Sequence, residues 1–435
     1  MKRPSGRKRP GASRLTRRGF GMLIAALACA VVAYRSGVSS LLYATGFLAV
    51  LPLGALLLVR MRRRRFEVAR SFNPPVVSAG SPVAVDLSVR NLSAASSGPA
   101  SWSDRTPWEP ISVSSPTLPA LAGTAPGLSK GPAGVLLRYI VRPPARGVFP
   151  VGPLEIAYGD PFGLAAGRGA LGTVQQLSVV PAIVPLGEGG PSLLAGDGNA
   201  QLIQRRSSGN DDDLMTREYR SGDAMRRVHW RASARHGELM VRQEEQRTFP
   251  EARVLIDTRA AGYGEAWADL GGIETGEGAF EWSIRMLASV AEHLHGAGFL
   301  VQILETGDPH IAPLGDPSQG SGQDAEFLLS LATLRLTQTP LPASGGIHGD
   351  EKAEGVPGPI FAVLSEPEPA TLRWISAQRR PHELGVAFVV GHRSATTFDT
   401  LAAHGWICVP VRESDDPALA WASISRFTAP AVVVK

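Results

Sequence analysis

Two apolar runs near the start of the chain, each fenced by arginines, constrain its folding more than any other feature. Gly19–Tyr34 reads GFGMLIAALACAVVAY, Arg35-Ser36-Gly37 follows, and Val38–Val59 reads VSSLLYATGFLAVLPLGALLLV. At 1.5 Å per helical residue the second run covers about 30 Å, the thickness of a bilayer's hydrocarbon. The first is shorter and reaches that span if Arg18 or Arg35 snorkels. A three-residue connector predicts a tight transmembrane hairpin, with helices at about 19–34 and 38–59. Eight Lys/Arg precede the first run, five follow the second, and only Arg35 lies between them. The positive-inside rule then places the N-terminus and the large C-terminal body in the cytoplasm, as a multi-pass inner-membrane protein. The plain alternative is a cleaved signal peptide ending near ALACA, which would leave the second run without a purpose.

The charge balance follows from the same segment. The net charge is +5, yet no acidic residue precedes Glu67, and residues 66–435 carry 30 basic against 39 acidic side chains, a net of −9. An acidic body lacks the cationic surface that displaces counterions from phosphates, so no nucleic-acid partner is expected. The two cysteines, Cys29 and Cys408, encode neither a disulfide framework nor a zinc site.

Beyond the arginines the pattern has a period of two. Val83, Val85, Leu87 and Val89 alternate with small or polar residues, and Val135–Val141, Leu154–Tyr158 and Val174–Val180 are further strands. Gly- and Pro-rich turns, including Arg146–Phe149 and Gly159–Leu164, separate them. This predicts a β-sandwich over 66–185 after the 1–65 membrane segment, with long loops in 93–134 and Trp102 and Trp108 capping the sandwich. Residues 186–250 hold a linker and a motif segment; Asp211-Asp212-Asp213 reads as a solvated loop rather than a metal site.

In Arg217–Arg242 (REYRSGDAMRRVHWRASARHGELMVR), Asp223 is the expected N-cap of a helix over Ala224–Arg235, with Gly237 as its stop. Arg227, Arg231 and Arg235 form a stripe along one face. That stripe is either a docking surface for acidic groups or is paired internally with Glu218, Glu238, Glu244 and Glu245. His229 has no Ser, Cys or paired carboxylate spaced to work with it, so a packed or surface histidine is expected. From Ala252 apolar strands alternate with helices: Arg253–Asp257, Phe299–Glu305, Ile360–Leu364, Val386–Val390 and Trp406–Val411 are the strands. The helices are Phe280–His295, Asp324–Leu334 and Ser394–His404, giving a doubly wound α/β sheet over 251–435.

The residues Arg217-Glu218-Tyr219-Arg220, Gly222-Asp223, Arg227 through Trp230, Ser233-Ala234-Arg235 and Glu238-Leu239 resemble the bacterial family called domain of unknown function 58. The upstream turns at Arg146-Gly147, Gly152-Pro153-Leu154 and Asp160–Leu164, and the arginine-flanked hairpin, are similar to it as well. The resemblance implies a von Willebrand factor A-like C-terminal domain and a MoxR-type AAA+ ATPase as partner. It marks Arg217, Tyr219, Gly222, Asp223, Arg227, His229, Trp230, Ser233, Arg235 and Leu239 as docking residues. Such domains hold a divalent cation through Asp-x-Ser-x-Ser. Here Asp257 keeps the first position, Arg259 and Ala261 replace the serines, and Ser365-Glu366 stands where Asp-Gly is expected. The Arg259 guanidinium is expected to neutralise Asp257, so that metal binds weakly or not at all. With no P-loop, Rossmann glycine fingerprint or Gly-x-Ser-x-Gly elbow, no cofactor and no enzyme are expected. The leading expectation is a membrane-anchored, non-catalytic adaptor. Its rival is an envelope-related hydrolase or transferase using Asp223, His229 or Asp257.

Overall fold

Thr16 and Gly37 bracket the first apolar run and make it a helix. The Thr16 side chain accepts a hydrogen bond from the Gly19 N–H, and Gly37, at φ 70°, returns its own N–H to the Ala33 carbonyl. A computed structural model describes residues 13–61, 65–108, 117–125, 132–187, 216–220, 225, 228–242, 250–263, 278–315, 322–341, 357–391 and 394–428. The chain divides into two units, Met1–Val180 and Pro181–Lys435.

In the first unit, α1 (Arg17–Ser36) and α2 (Ser40–Met61) pack on each other and are joined by Gly37-Val38-Ser39. Small side chains occupy much of what is buried, Ala26 and Ala33 on α1 and Ala55 on α2. Large apolar side chains point outward, among them Phe20, Leu27, Tyr43, Phe47 and Leu57. Helices of 20 and 22 residues that stay apolar on their uncovered faces suggest membrane association.

The rest of this unit is β structure. One sheet runs β1 (Ser13–Leu15), β10 (Ala165–Leu171), β9 (Leu154–Gly159), β5 (Ala100–Asp104) and β6 (Thr117–Leu118). A second holds β3 (Val76–Ser78), β11 (Gln175–Val180) and β8 (Gly147–Val151), and a third β2 (Phe66–Asn73), β4 (Val83–Asn91) and β7 (Gly134–Val141). All three share one core. Val83, Val85, Leu87 and Val89 are wholly buried, and Val85 lies opposite Tyr139 and Leu87 opposite Leu137. Each such side chain contributes roughly 1.5–3 kcal/mol of burial. Trp102, expected in a capping loop, instead sits on β5 inside this core, where its ring meets Tyr139 at 6.0 Å. The reason is strand alternation: Ala100 and Trp102 face inward while Ser101 and Ser103 face out. Trp108 stacks edge-on against Phe149 at 4.6 Å.

A buried charge network crosses that core. The Arg70 guanidinium donates to both oxygens of Asp104, at 2.7 and 3.0 Å, and to the Thr173 carbonyl at 2.9 Å. The Tyr139 hydroxyl donates to Asp104 Oδ2 at 2.6 Å. Burial first, and the carboxylate second, push the phenol's pKa up.

In the second unit, β14 (Glu251–Ile256), β15 (Leu300–Glu305), β16 (Pro357–Leu364), β17 (Gly385–Val390) and β18 (Trp406–Val411) form a parallel sheet in the order β15-β14-β16-β17-β18. Every residue of β17 is buried. Val386, Phe388 and Val390 join a core with α4 (Ala279–Gly296), α5 (Gly322–Thr333), α8 (Pro417–Ala422) and α9 (Ile424–Thr428). Ala387 and Val389 join the opposite core with α6 (Pro369–Ala377) and α7 (Ala395–Ala403). The sheet therefore carries helices on both faces. The α4 helix buries Trp282, Met286 and Val290 besides the expected Phe280–Leu294 face, so its apolar surface is wider than one stripe.

Candidate functional site

Two groups of residues are candidates, the motif segment and the C-terminal edge of the parallel sheet. In the motif segment, β12 (Thr216–Glu218) pairs antiparallel with β13 (Met240–Arg242), and Val228 bridges to Val241 from the other side. The helix starts later than Ala224: α3 spans Trp230–His236. Its cap is His229, whose Nδ1 accepts from the Ala232 N–H at 3.0 Å, because the Val228 bridge holds the preceding backbone extended. His229 therefore caps α3, and Gly222, the expected cap Asp223, Arg227 and Asp211–Asp213 lie outside the described residues, as does the side chain of Arg217. Gly237 does end the helix, its N–H reaching the Ser233 carbonyl.

Ser233 ties the segment together. Its hydroxyl donates to the His229 carbonyl at 3.1 Å and accepts from the Met240 N–H at 2.8 Å. The Tyr219 N–H donates to the Leu239 carbonyl, and the His229 N–H to that of Met240. The His229 Nδ1 and the Ser233 hydroxyl are thereby engaged in holding the backbone. What the segment offers to solvent is the Trp230 side chain, 64% exposed, with Leu239, Arg231 and Arg235 also exposed.

The second candidate lies where β14 ends. Ligands of open parallel sheets bind beyond the strands' C-terminal ends, at the point where strand order reverses, which here lies between β14 and β16. Asp257 leaves β14 there with a wholly buried side chain. Its Oδ1 accepts from the Thr306 hydroxyl at 2.6 Å and from the Arg259 N–H at 3.1 Å. Its Oδ2 is buried and has no hydrogen-bond partner among the described residues. Gly262 passes so close that a Cβ there would lie 2.3 Å from Oδ2. Around the carboxyl, Thr306 Oγ1 also accepts from the Thr258 N–H, Thr258 Oγ1 from the Gly307 N–H, and the Tyr263 hydroxyl donates to the Asp257 carbonyl. Burial raises the Asp257 pKa, and the Thr306 and Arg259 hydrogen bonds only partly oppose it.

The Arg259 guanidinium does not pair with Asp257 as expected. It donates to Thr371 Oγ1 at 2.7 Å and lies 3.1 Å from Glu368, groups on and just before α6. Only its backbone N–H serves Asp257. The donor set does not fit a divalent cation, which needs several oxygens with open lone pairs. Arg259 and Ala261 supply none, Oδ1 is already shared, and the Ser365 hydroxyl points to the Val390 carbonyl. Among the described residues no group of three or more His, Cys, Asp and Glu side chains comes together to hold a metal ion. Thr258, Thr306, Tyr263 and Gly262 were missed in the sequence, although Thr258 and Thr306 sit just past strand ends, where such residues are to be sought.

A model of the family described as "Protein of unknown function DUF58" matches residues 215–264, from the motif segment through Asp257. No curated protein matches the chain. Among solved structures, one chain found is a cycloisomaltooligosaccharide glucanotransferase of Paenibacillus sp. complexed with cycloisomaltoheptaose, at 12% identity and a TM-score of 0.18. That likeness covers 79% of this chain and only 53% of the other, so the chain spans about half its length, and at that score it carries no argument. Over residues 215–264 the chain is thus similar to that family, and its two long apolar helices are in keeping with the membrane association such a likeness suggests.

Proposed function

We propose that the protein is a membrane-anchored, non-catalytic adaptor whose motif segment docks a partner protein. The observation that carries the reading is Trp230, which projects from a segment whose neighbouring polar groups are engaged in its own fold. An exposed tryptophan flanked by the exposed arginines Arg231 and Arg235 has the composition of an interface hot spot, and among the described residues of the segment no nucleophile–base pair is formed. His229 serves as a helix cap, which argues against the hydrolase or transferase reading. In this reading the first unit's sheets are a β-sandwich and the second unit's parallel sheet is a doubly wound, von Willebrand factor A-like domain. The arginine flanks put both chain ends on the cytoplasmic side of the inner membrane. A MoxR-type AAA+ ATPase is the partner the family resemblance implies.

The test is co-purification of the full-length protein from native membranes. A MoxR-type ATPase is expected with the wild type, and its recovery should fall several-fold with Trp230→Ala while the protein's abundance stays constant. Recovery unchanged by Trp230→Ala, or no such ATPase in the wild-type sample, contradicts the proposal.

A further inference from the structure

The first unit holds an apolar groove of about 320 Å³ between α2 and the turn joining β9 to β10. Val50, Gly54, Leu58 and Val59 form one wall, and Pro161 and Phe162 the other. The turn is rigid. Asp160 Oδ2 accepts from the Phe162 N–H at 2.8 Å, Oδ1 from the Ala165 N–H at 2.6 Å, and the Asp160 carbonyl from the Gly163 N–H at 3.1 Å. It is also fastened to the hairpin. The Thr16 N–H and hydroxyl donate to the Leu164 and Gly163 carbonyls at 2.8 and 2.6 Å, and β1 pairs with β10 along Ser13–Leu15. Phe162 is therefore held out from the β structure, 66% exposed, with no freedom to fold back.

Its position along α2 gives that exposure a meaning. The groove residues Val50 to Leu58 lie roughly 5 to 17 Å from the helix end at Met61, at 1.5 Å per residue. That stretch continues the outward apolar face formed by Leu53, Leu57 and Leu58. Two cations neighbour the residues that line the groove. Arg60 follows Val59 directly and its Nε donates to Ser13 Oγ at 3.3 Å. The Arg18 guanidinium lies 4.0 Å from where a side chain on Gly163 would begin. Both are exposed, and neither is in a salt bridge with a carboxylate among the described residues. An apolar slot beside a membrane-facing helix, with two arginines next to its lining residues, matches a lipid tail near a phosphate.

We propose that this groove binds one acyl chain of an anionic phospholipid, with Phe162 as its outer wall and Arg18 and Arg60 at the headgroup. The proposal rests on the membrane reading of α1 and α2 and does not depend on the adaptor's partner. Charge complementarity and continuity with the lipid-facing surface of α2 favour this occupant over a partner helix.

The test reconstitutes the full-length protein into phosphatidylcholine nanodiscs containing a phosphatidylglycerol with a photoreactive acyl chain. After illumination, adducts should concentrate on residues 50–59 and 159–162. A Cβ at Gly54 meets nothing within 4 Å, so Gly54→Phe should enter the groove without disturbing the fold and cut those adducts several-fold. Gly46, equally open but outside the groove, supplies the control, and Gly46→Phe should leave them unchanged. Phe162→Ser should lower them too, and a photoreactive phosphatidylcholine should label the groove several-fold less. Labelling spread evenly along both helices, or indifferent to Gly54→Phe, overturns the proposal, as does a cross-linked polypeptide at these residues. If the protein fails to enter nanodiscs at all, the membrane reading falls first and this site with it.

Discussion

Asp104 in the first unit and Asp257 in the second both have buried carboxylates, and the two are treated in opposite ways. Asp104 meets a bidentate guanidinium and a phenol, so both oxygens have charge-assisted or hydroxyl donors. Asp257 receives two donors on one oxygen and none on the other, and its nearest cationic side chain is turned toward Glu368. The first arrangement fastens β2, β5 and β7 together and leaves nothing over for a ligand. The second leaves an unserved oxygen at the strand-order reversal of a parallel sheet, where burial favours the protonated acid. A buried charge alone therefore does not mark a site; an incompletely served one at such a position does.

The largest effect that separates the two should come from Asp104→Ala. It leaves the Arg70 guanidinium buried without its counter-charge, at a cost of about 3–5 kcal/mol. Hydrogen exchange of the β4 and β7 amides in the full-length protein should show the lost protection, and unchanged protection would remove the contrast. Asp257→Ala should cost less, about 1–3 kcal/mol, because the Thr306 hydroxyl and Arg259 N–H lose a neutral or weakly charged acceptor.

Asp257→Asn sharpens the comparison further. The amide oxygen can accept both of those hydrogen bonds, so midpoint stability at mildly acid pH should barely change. The pH dependence should change. With its folded pKa raised, Asp257 binds its proton more tightly in the folded chain, and that contribution is complete below the ordinary carboxylate range. It is lost as pH climbs from that range through the raised value. Wild type minus Asp257→Asn should therefore decline with rising pH in denaturation midpoints, and a flat difference would mean that folding does not raise the Asp257 pKa. The smallest effect belongs to Arg138→Ala. It breaks the exposed Asp86–Arg138 pair at 2.6 Å, where solvent and salt screen the attraction, and it should not move the midpoint measurably.

The parts of this architecture legible in the sequence are those where burial dictates pattern. β4 alternates because one face is covered, and β14 to β18 read as continuous apolar runs because helices cover both faces. β10, with the sequence AAGRGAL, carries no such signal; its place is fixed by pairing with β1 and β9. The α6 helix opens at Pro369 and buries Thr371, Leu372, Ile375 and Ser376 on one face, a short helical pattern that is not among the helices expected from the sequence. In the motif segment the sequence points to Asp223 as the cap, and the cap that α3 uses, His229, follows from the Val228–Val241 bridge, which has no local sequence signal. Asp257 and Thr306 could each be sought from a place just past a strand end. That they bond to each other across 49 residues could not be read, because hydrogen bonds between distant strand ends have no local sequence signal.

The account depends most on where the two units lie relative to the bilayer. In spheroplasts carrying Ser39→Cys in the α1–α2 connector or Ser101→Cys on the exposed face of β5, a membrane-impermeant maleimide should label only the connector. The native thiols compete poorly, since Cys29 lies within α1 and burial pushes the Cys408 thiol up to about 11. Labelling at position 39 alone is the predicted result. Labelling at position 101 before lysis would place the β structure outside and contradict both the anchor's orientation and the proposed cytoplasmic partner.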